Sequence, residues 1–385
     1  MKVILIKIRN KFNKAFAPIV MFFFRIFKIE NNKIVVFCHN GKGYGDSAKY
    51  IVEELLKDNK YDIVWAINKG EKVPDDIRTV PIFSLKCLYE LSTAKIWINN
   101  LRFRPYIRKR KNQFYLQTWH SCLRIKKIEL DAPEFLNKYY LKQMKNDSKM
   151  IDLMTSGCEF STQTYKRAFF YNGNVELTGT PRCDLFFHKK IYLKCRSEIC
   201  KKYGLDSSKR LVLYAPTFRE NSDCNKVYMN LKKVVKAIPN DTQFLVRLHP
   251  NKKCDYNIDT NFAVNVTSYP DIQELLAAVD VLITDYSGCC MDMMIASKPV
   301  ILLLKDMKDY LSKERAVYFK MDELPFTKAF TDDELIDIIN NKKYKNNDNK
   351  IEKFKDYVGL FEDGNASKRI KKILVNVMEE QNEKI

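Results

Sequence analysis

Residues 281–305, VLITDYSGCCMDMMIASKPVILLLK, set one apolar run against another across a polar turn and a short middle segment. VLIT and VILLL are compact, β-branched-rich runs of the kind that form buried strands, and Asp, Ser, Gly and Pro bound them. CCMDMMIAS between them reads as a helix. Two strands joined through a helix pair in parallel, because an antiparallel pair closes through a tight turn and needs no crossover. This βαβ reading decides the fold class.

The same alternation extends in both directions. Upstream lie RLVLYAPT (210–217), TQFLVRLHP (242–250) and FAVNVTS (262–268) as strands, then DIQELLAAVD (271–280) as a helix. An earlier series runs KIVVFCHN, SAKYIVEELLKD, YDIVWAIN, LKCLYELSTA, KIWINN, NQFYLQTW, MIDLMTS, STQTYKRAFFY and NVELTG between residues 33 and 179. The charged helix KKIYLKCRSEICKKYGL (189–205) separates the two series and predicts a boundary near residue 205. At 385 residues the chain has the length of two domains. The expected architecture is α/β: two doubly wound Rossmann-type domains, 33–204 and 205–385, whose strand C-termini share a cleft. The last forty residues read as lysine-rich helices.

Residues 1–32 form a separate basic and apolar segment. Its longest uncharged run, Ala15 to Phe24, is about half the roughly 20 residues of a membrane span and contains Pro18. No small-residue cleavage site follows it. Either it lies as an amphipathic segment in a cytoplasmic membrane interface, with Lys2, Lys7, Arg9, Lys11, Lys14, Arg25 and Lys28 meeting anionic lipid, or it is a first helix packed on the core. Sixty-seven Lys and Arg against 47 Asp and Glu give a formal charge of +20, which favours polyanionic partners without choosing among them. Nucleic acid is disfavoured, because no recognised binding motif or aromatic array accompanies the charge. The eleven cysteines lack zinc-ligand spacing and read as reduced core residues, so no metal site is expected.

Reactive side chains gather just past the predicted strands. His120 follows FYLQTW beside Trp119, with Arg124, Lys126 and Lys127 soon after. An imidazole there can take a proton from a hydroxyl near neutral pH, or simply satisfy a loop carbonyl. NGKGYGDSAKY carries Gly41, Gly43 and Gly45 between a strand and a helix, which suits either a phosphate contact or a tight turn. Arg247 and His249 end one strand, Thr217 and Arg219 another, and Thr284, Asp285, Ser287 and Gly288 lead from a third into a helix. Hydroxyls and amides at a helix start bind anions, and nearby cations add charge. Asp285 reads equally as a ribose ligand or an N-cap.

GKGYGDSAKYIVEEL, LQTWHSCLRIKKIELD, TGTPRCDLFF, VLYAPTFRE, LVRLHPN, YPDIQELLAAVDVLITDYSGCCMDMMIASKPVILL and RAVYFKMDELPF, in this order, resemble the CDP-glycerol glycerophosphotransferase family of teichoic-acid primases and polymerases and their capsule relatives. The resemblance implies a GT-B-like fold and peripheral attachment to the cytoplasmic face of the membrane. It also implies transfer of polyol phosphate, glycerol foremost, from CDP-glycerol or CDP-ribitol to a lipid-linked glycan acceptor, with release of CMP. His120 matches the family's proposed base and His249 its donor-side histidine. TDYSG matches the donor-phosphate loop, with Gly288 where a second serine is usual. Arg247, Thr217, Arg219, Thr284, Asp285 and Ser287 fall on the donor side, and Gly43, Trp119, Ser121 and Lys126 on the acceptor side. Ser121 replaces a common glycine, and Arg315 and Ala316 stand where Arg-Gly is frequent. No acidic pair is placed to hold a metal, so no cofactor is expected to be required and Mg²⁺ would be a tolerated extra. A GT-B glycosyltransferase using a nucleotide-sugar is the alternative.

Overall fold

The computed structural model describes residues 16–217, 219, 229–248, 258–259, 261–313, 316–345 and 347–379. The amphipathic reading of residues 1–15 therefore lies outside the described residues.

A helix over 16–23 (α1) continues as a 3-10 turn, Phe24–Ile26. Then come β1 (Glu30–Phe37), α2 (Asp46–Leu56), β2 (Asp62–Ile67), β3 (Arg78–Pro81), α3 (Leu85–Thr93), β4 (Ala94–Asn99) and β5 (Phe114–Gln117). α4 (Lys138–Ser148), β6 (Leu153–Ser156), α5 (Glu159–Ala168) and β7 (Asn174–Leu177) complete the first sheet. The second series is α6 (Lys189–Tyr203), β8 (Arg210–Tyr214), α7 (Leu231–Ala237), β9 (Thr242–Val246), β10 (Val264–Asn265), α8 (Ile272–Ala278), β11 (Val281–Thr284), α9 (Cys289–Ile295), β12 (Val300–Leu303), α10 (Met307–Lys313) and β13 (Thr327–Ala329). α11 (Asp332–Asn340), α12 (Asp348–Val358) and α13 (Ala366–Glu379) close the chain.

Both sheets are parallel throughout, as the opening stretch requires: β11 and β12 pair in register Leu282↔Val300 to Thr284↔Leu302. Their orders are β3-β2-β1-β4-β5-β6-β7 and β10-β9-β8-β11-β12-β13. Each order reverses once, between β1 and β4 and between β8 and β11. Ligands of open α/β sheets bind beyond the strand C-termini at such a reversal. The chain leaves β1 at Phe37, β4 at Asn99, β8 at Tyr214 and β11 at Thr284, and the residues that follow those four positions hold the candidate sites.

Two compact units result, one from the described parts of 1–120, 133–184 and 361–385, the other from 121–132 and 185–360. This corrects the division at residue 205 in three places. α6 belongs to the second unit, where the Arg196 guanidinium donates to Ala278 O at 2.8 Å and Asp280 Oδ2 at 3.0 Å. Residues 121–132 also join the second unit, where Lys127 N–H donates to Ala316 O at 2.9 Å. α13 returns to the first, burying Ile370, Leu374 and Met378 in a core that includes Ile51, Val52 and Leu55 of α2. The helical tail is two helices because Gly359 takes left-handed backbone, φ +58°, and ends α12. β3 and β13 escape a periodicity reading: both are sheet edges, short and half solvated, so no apolar run marks them.

α1 buries Ala17 and Met21 and leaves Phe16, Ile19, Phe22 and Phe23 exposed. One face of the described helix therefore packs on the core and the other is exposed. Among the described residues no helix is long and apolar enough to cross a membrane. The described cysteines are free thiols, all buried except half-buried Cys289.

Candidate functional site

In the first unit, Phe37 of β1 lies beside Asn99 of β4, and Asn99 beside Gln117 of β5. The residues leaving these ends lock together. Thr118 N–H donates to Asn99 O at 3.1 Å, Trp119 N–H to Gln117 Oε1 at 2.9 Å, and His39 N–H to Asn100 Oδ1 at 2.9 Å. Trp119 takes left-handed backbone, φ +51°. Its indole turns inward, edge-on to Phe169 at 4.7 Å and 4.3 Å from the His120 ring. Trp119 is thus a buried buttress of His120 rather than a surface that meets a ligand.

His120 Nδ1 lies 3.2 Å from Asn100 O. A carbonyl oxygen only accepts, so Nδ1 carries the hydrogen and, in the neutral ring, Nε2 keeps its lone pair. On this tautomer the loop-carbonyl role does not exclude the base role.

Four residues that the strand-end reading overlooked complete this cluster. Asp46, the first residue of α2, is buried with Oδ2 3.1 Å from Arg182 Nη1 and 3.3 Å from His39 Nε2. Ser47 N–H donates to its Oδ1 at 2.6 Å. Burial alone would raise this carboxyl's pKa, but Arg182, His39 and the Ser47 amide outweigh it and hold the group well below the usual carboxylate range. Arg182 Nη1 also donates to His120 O at 2.8 Å, and the His39 and His120 rings are 6.2 Å apart. The fourth is Asn100. His39 carried the same signal as His120, a histidine just past a strand; Arg182 and Asp46 carried none, because their partners are remote in sequence.

The glycines before α2 are turn residues. Gly41 has φ +80°, and a Cβ there would sit 3.1 Å from Asn68 N, whose N–H donates to Gly41 O at 2.8 Å. Gly43 is also left-handed, φ +71°.

In the second unit, β8 and β11 pair as Ile283↔Tyr214. Asp285 is buried: its Oδ1 accepts from Thr217 N–H at 2.8 Å and Tyr286 N–H at 2.6 Å, and its Oδ2 from Arg219 Nη2 at 2.8 Å. Arg219 Nε reaches Asp306 Oδ2 at 2.9 Å, and its guanidinium lies 4.6 Å from the centre of Tyr310, which stacks on Tyr286 at 3.7 Å. Burial lowers the arginine's proton affinity, and Asp285 with Asp306 more than restores it. This corrects three expectations. Asp285 neither caps α9, whose N-cap is Gly288, nor offers a carboxylate to a ribose. Arg219 spends its charge on two carboxylates. Thr284 is fully buried and donates its hydroxyl to Ala215 O at 2.6 Å. These three hold the strand ends in place.

Thr217, Ser287 and Gly288 differ from them. Thr217 Oγ1 is buried without a hydrogen-bond partner among the described residues. Ser287 is half-buried with its hydroxyl 3.5 Å from Cys289 N. A Cβ on Gly288 would meet only Leu123 O, at 3.8 Å, so the serine common at this position would fit. Arg247 N–H joins Tyr214 O at 2.9 Å, and its guanidinium, whose pKa burial lowers, donates to Tyr269 O at 2.5 Å. His249 and Arg315 lie outside the described residues. Ser121 and half-buried Lys126 fall in the second unit: Ser121 O accepts from Arg124 Nη2 at 3.0 Å, and Lys126 bridges Val317 through its backbone. The expected acceptor-side set is therefore divided, with Gly43 and Trp119 on the first unit. Among the described residues no group of three His, Cys, Asp or Glu could hold a metal ion.

Residues 19–376 match the family described as CDP-Glycerol:Poly(glycerophosphate) glycerophosphotransferase. The chain belongs to this family. A teichoic acid poly(glycerol phosphate) polymerase of Bacillus spizizenii is 28% identical over 94% of this chain and 98% of its own length. A teichoic acid poly(ribitol-phosphate) polymerase of the same organism is 29% identical over 97% of this chain, but only 61% of its own length is spanned. The solved structure of the wall teichoic acid polymerase TagF soaked with CDPG superposes with a TM-score of 0.84 at 25% identity, covering 97% of this chain and 98% of that one. The GT-B-like fold expected of a glycerophosphotransferase is thereby matched in its two parallel sheets.

Proposed function

We propose that this glycerophosphotransferase moves glycerol phosphate from CDP-glycerol to a hydroxyl of a lipid-linked cell-wall polymer, with His120 Nε2 as general base. The observation that carries this reading is the bond from His120 Nδ1–H to Asn100 O, which leaves Nε2 the proton acceptor. The acceptor hydroxyl gives its proton to Nε2 as its oxygen bonds the donor's β-phosphorus. The bond from that phosphorus to the bridging oxygen breaks, and its electron pair leaves with CMP. Such transfer depends on positioning and charge neutralisation more than on covalent chemistry. Arg247, His249, Ser287, Thr217 and the amides near Gly288 are assigned to the donor phosphates. The partnerless Thr217 hydroxyl supports that assignment. Ser121 and Lys126 are assigned to the acceptor.

The chemistry is taken as metal-independent, since the acids at the donor strand ends, Asp285 and Asp306, are already occupied by Arg219. The exposed aromatics of α1, with Arg25 and Lys28, support peripheral attachment to an anionic membrane face.

CMP release by the purified protein tests this, with CDP-glycerol, CDP-ribitol and a nucleotide-sugar offered separately beside a membrane-extract acceptor. Release from CDP-glycerol is expected, with a fall of about 10² to 10⁴ in kcat for His120→Ala. Turnover of the sugar donor alone would replace this reading with sugar transfer. Abolition by EDTA would end the metal-independent assignment.

A further inference from the structure

His39 is a second histidine of the first unit with no part in the transfer described above. It follows β1, and its N–H donates to Asn100 Oδ1 at 2.9 Å, while the carbonyl of the same Asn100 accepts from His120 Nδ1 at 3.2 Å. One residue therefore fixes both histidines, whose ring centres lie 6.2 Å apart. The backbone is also specialised here. His39, Asn40, Asp46 and Trp119, at φ +44°, +55°, +54° and +51°, are four of the ten left-handed non-glycine residues among those described. Such conformations persist only where surrounding structure over-determines them, and they gather at binding sites.

His39 Nε2 lies 3.3 Å from Asp46 Oδ2, and a carboxylate only accepts, so this nitrogen carries a hydrogen. The Asn100 Nδ2 amide, 3.4 Å from the same nitrogen, is itself a donor and lies 3.8 Å from Cys38 Sγ. His39 Nδ1 has no hydrogen-bond partner among the described residues, and the side chain is 41% exposed. The neighbouring charges are already matched, because Asp46 and Arg182 are both buried and meet at 3.1 Å. With His120 neutral, a proton on His39 therefore makes the cluster net positive, one N–H held by Asp46 and the other open to an anion. Phosphate oxygens suit that donor, since charge-assisted hydrogen bonds are the strong ones.

Transfer of glycerol phosphate leaves a chain end in which the terminal hydroxyl oxygen and the phosphorus are five bonds apart, a reach of roughly 6 Å. That reach is comparable with the spacing of the two rings. We propose that His39 is an acceptor-binding residue, its imidazolium holding the phosphodiester of the acceptor's last glycerol phosphate unit while His120 meets the terminal hydroxyl of that unit. The proposal deepens, and rests on, the glycerol phosphate transfer proposed above. It makes the product of one transfer the acceptor of the next.

The probe is glycerophosphoglycerol, a soluble phosphodiester with that chain end, and diglycerol is its uncharged counterpart. Each is titrated without donor into the full-length protein carrying ¹⁵N in its four histidines, the His39 ring signals being identified by their loss in His39→Asn. Asn is the replacement because it tolerates left-handed backbone and carries no charge. A saturable change in the His39 signals is expected with glycerophosphoglycerol and none with diglycerol. The affinity, read from the His120 signals, should fall about tenfold in His39→Asn, as for loss of one hydrogen bond to a charged group. In CMP-release kinetics His39→Asn should raise KM for a phosphodiester-ended acceptor by about the same factor and leave KM for CDP-glycerol within about twofold. An equal response of His39 to diglycerol, or unchanged affinity in His39→Asn, would show that no acceptor phosphate is held there. A comparable response to CDP-glycerol alone would give the site to a donor phosphate, and each of these outcomes overturns the proposal. The titration contains no transfer step, so its failure and a failure of CMP release are separately visible.

Discussion

Asp46 is buried at the start of α2 with positive φ, two features that each cost stability. Arg182 and His39 offset that cost by fixing the carboxylate's charge, and Arg182 then reaches on to His120 O. Asp46→Asn leaves a buried guanidinium without its counter-charge, and a loss of about 3–5 kcal/mol is expected by urea unfolding at neutral pH. The pH dependence follows from the depressed pKa. An unfolded Asp titrates near about 3.9, so the native charge stabilises fully above about pH 5 and that contribution fades as pH falls through and below about 4. The stability gap between wild type and Asp46→Asn should therefore shrink between pH 6 and pH 3 (roughly the span over which an Asp protonates). A gap constant with pH would mean that Arg182 and His39 do not hold the charge. None of this was legible beforehand: Asp46 and Arg182 are 136 positions apart, and only the fold makes them a pair.

At the scale of elements, α13 shows how far pattern carries. Ile370, Leu374 and Met378 recur at helical spacing, so the sequence announces a helix with one apolar face. It does not announce that the face packs on α2, more than 300 residues earlier. The packing is apolar and non-directional, reinforced by Lys371 Nζ, which donates to Glu54 O at 3.1 Å and Asp58 Oδ1 at 2.6 Å. Leu374 is fully buried. Leu374→Ala should cost about 2–5 kcal/mol and speed amide exchange in α2, a readout that places the damage in the first unit. Unchanged exchange in α2 would contradict the packing described. The α2 N-terminus carries Asp46, so this distant helix also steadies the His120 cluster.

At the scale of the whole molecule, +20 attracts polyanions of any kind. The proposed peripheral attachment rests on α1, where Phe22 and Phe23 are exposed beside Arg25, and it is separable from nucleic-acid binding by experiment. Co-sedimentation with anionic vesicles should be strong, should weaken as salt rises, and should be lost when Phe22 and Phe23 are both changed to Asp. Salt-sensitive DNA binding without vesicle binding would overturn the membrane assignment.

The sequence by itself determined the α/β class and the parallel pairing, because apolar runs and their periods are local signals set by burial. It also determined which strand ends carry His120, Arg247 and Thr284 to Gly288. The tertiary structure decided where those side chains go: His120 turns Nδ1 to Asn100 O, while Thr284, Asp285 and Arg219 turn inward to hold strand ends together. It decided, too, that α6 and residues 121–132 join the second unit and α13 the first. The reason is physical. Hydrogen bonds and ion pairs between remote residues exist only once burial has brought them within about 3 Å of one another, and no local pattern encodes that encounter.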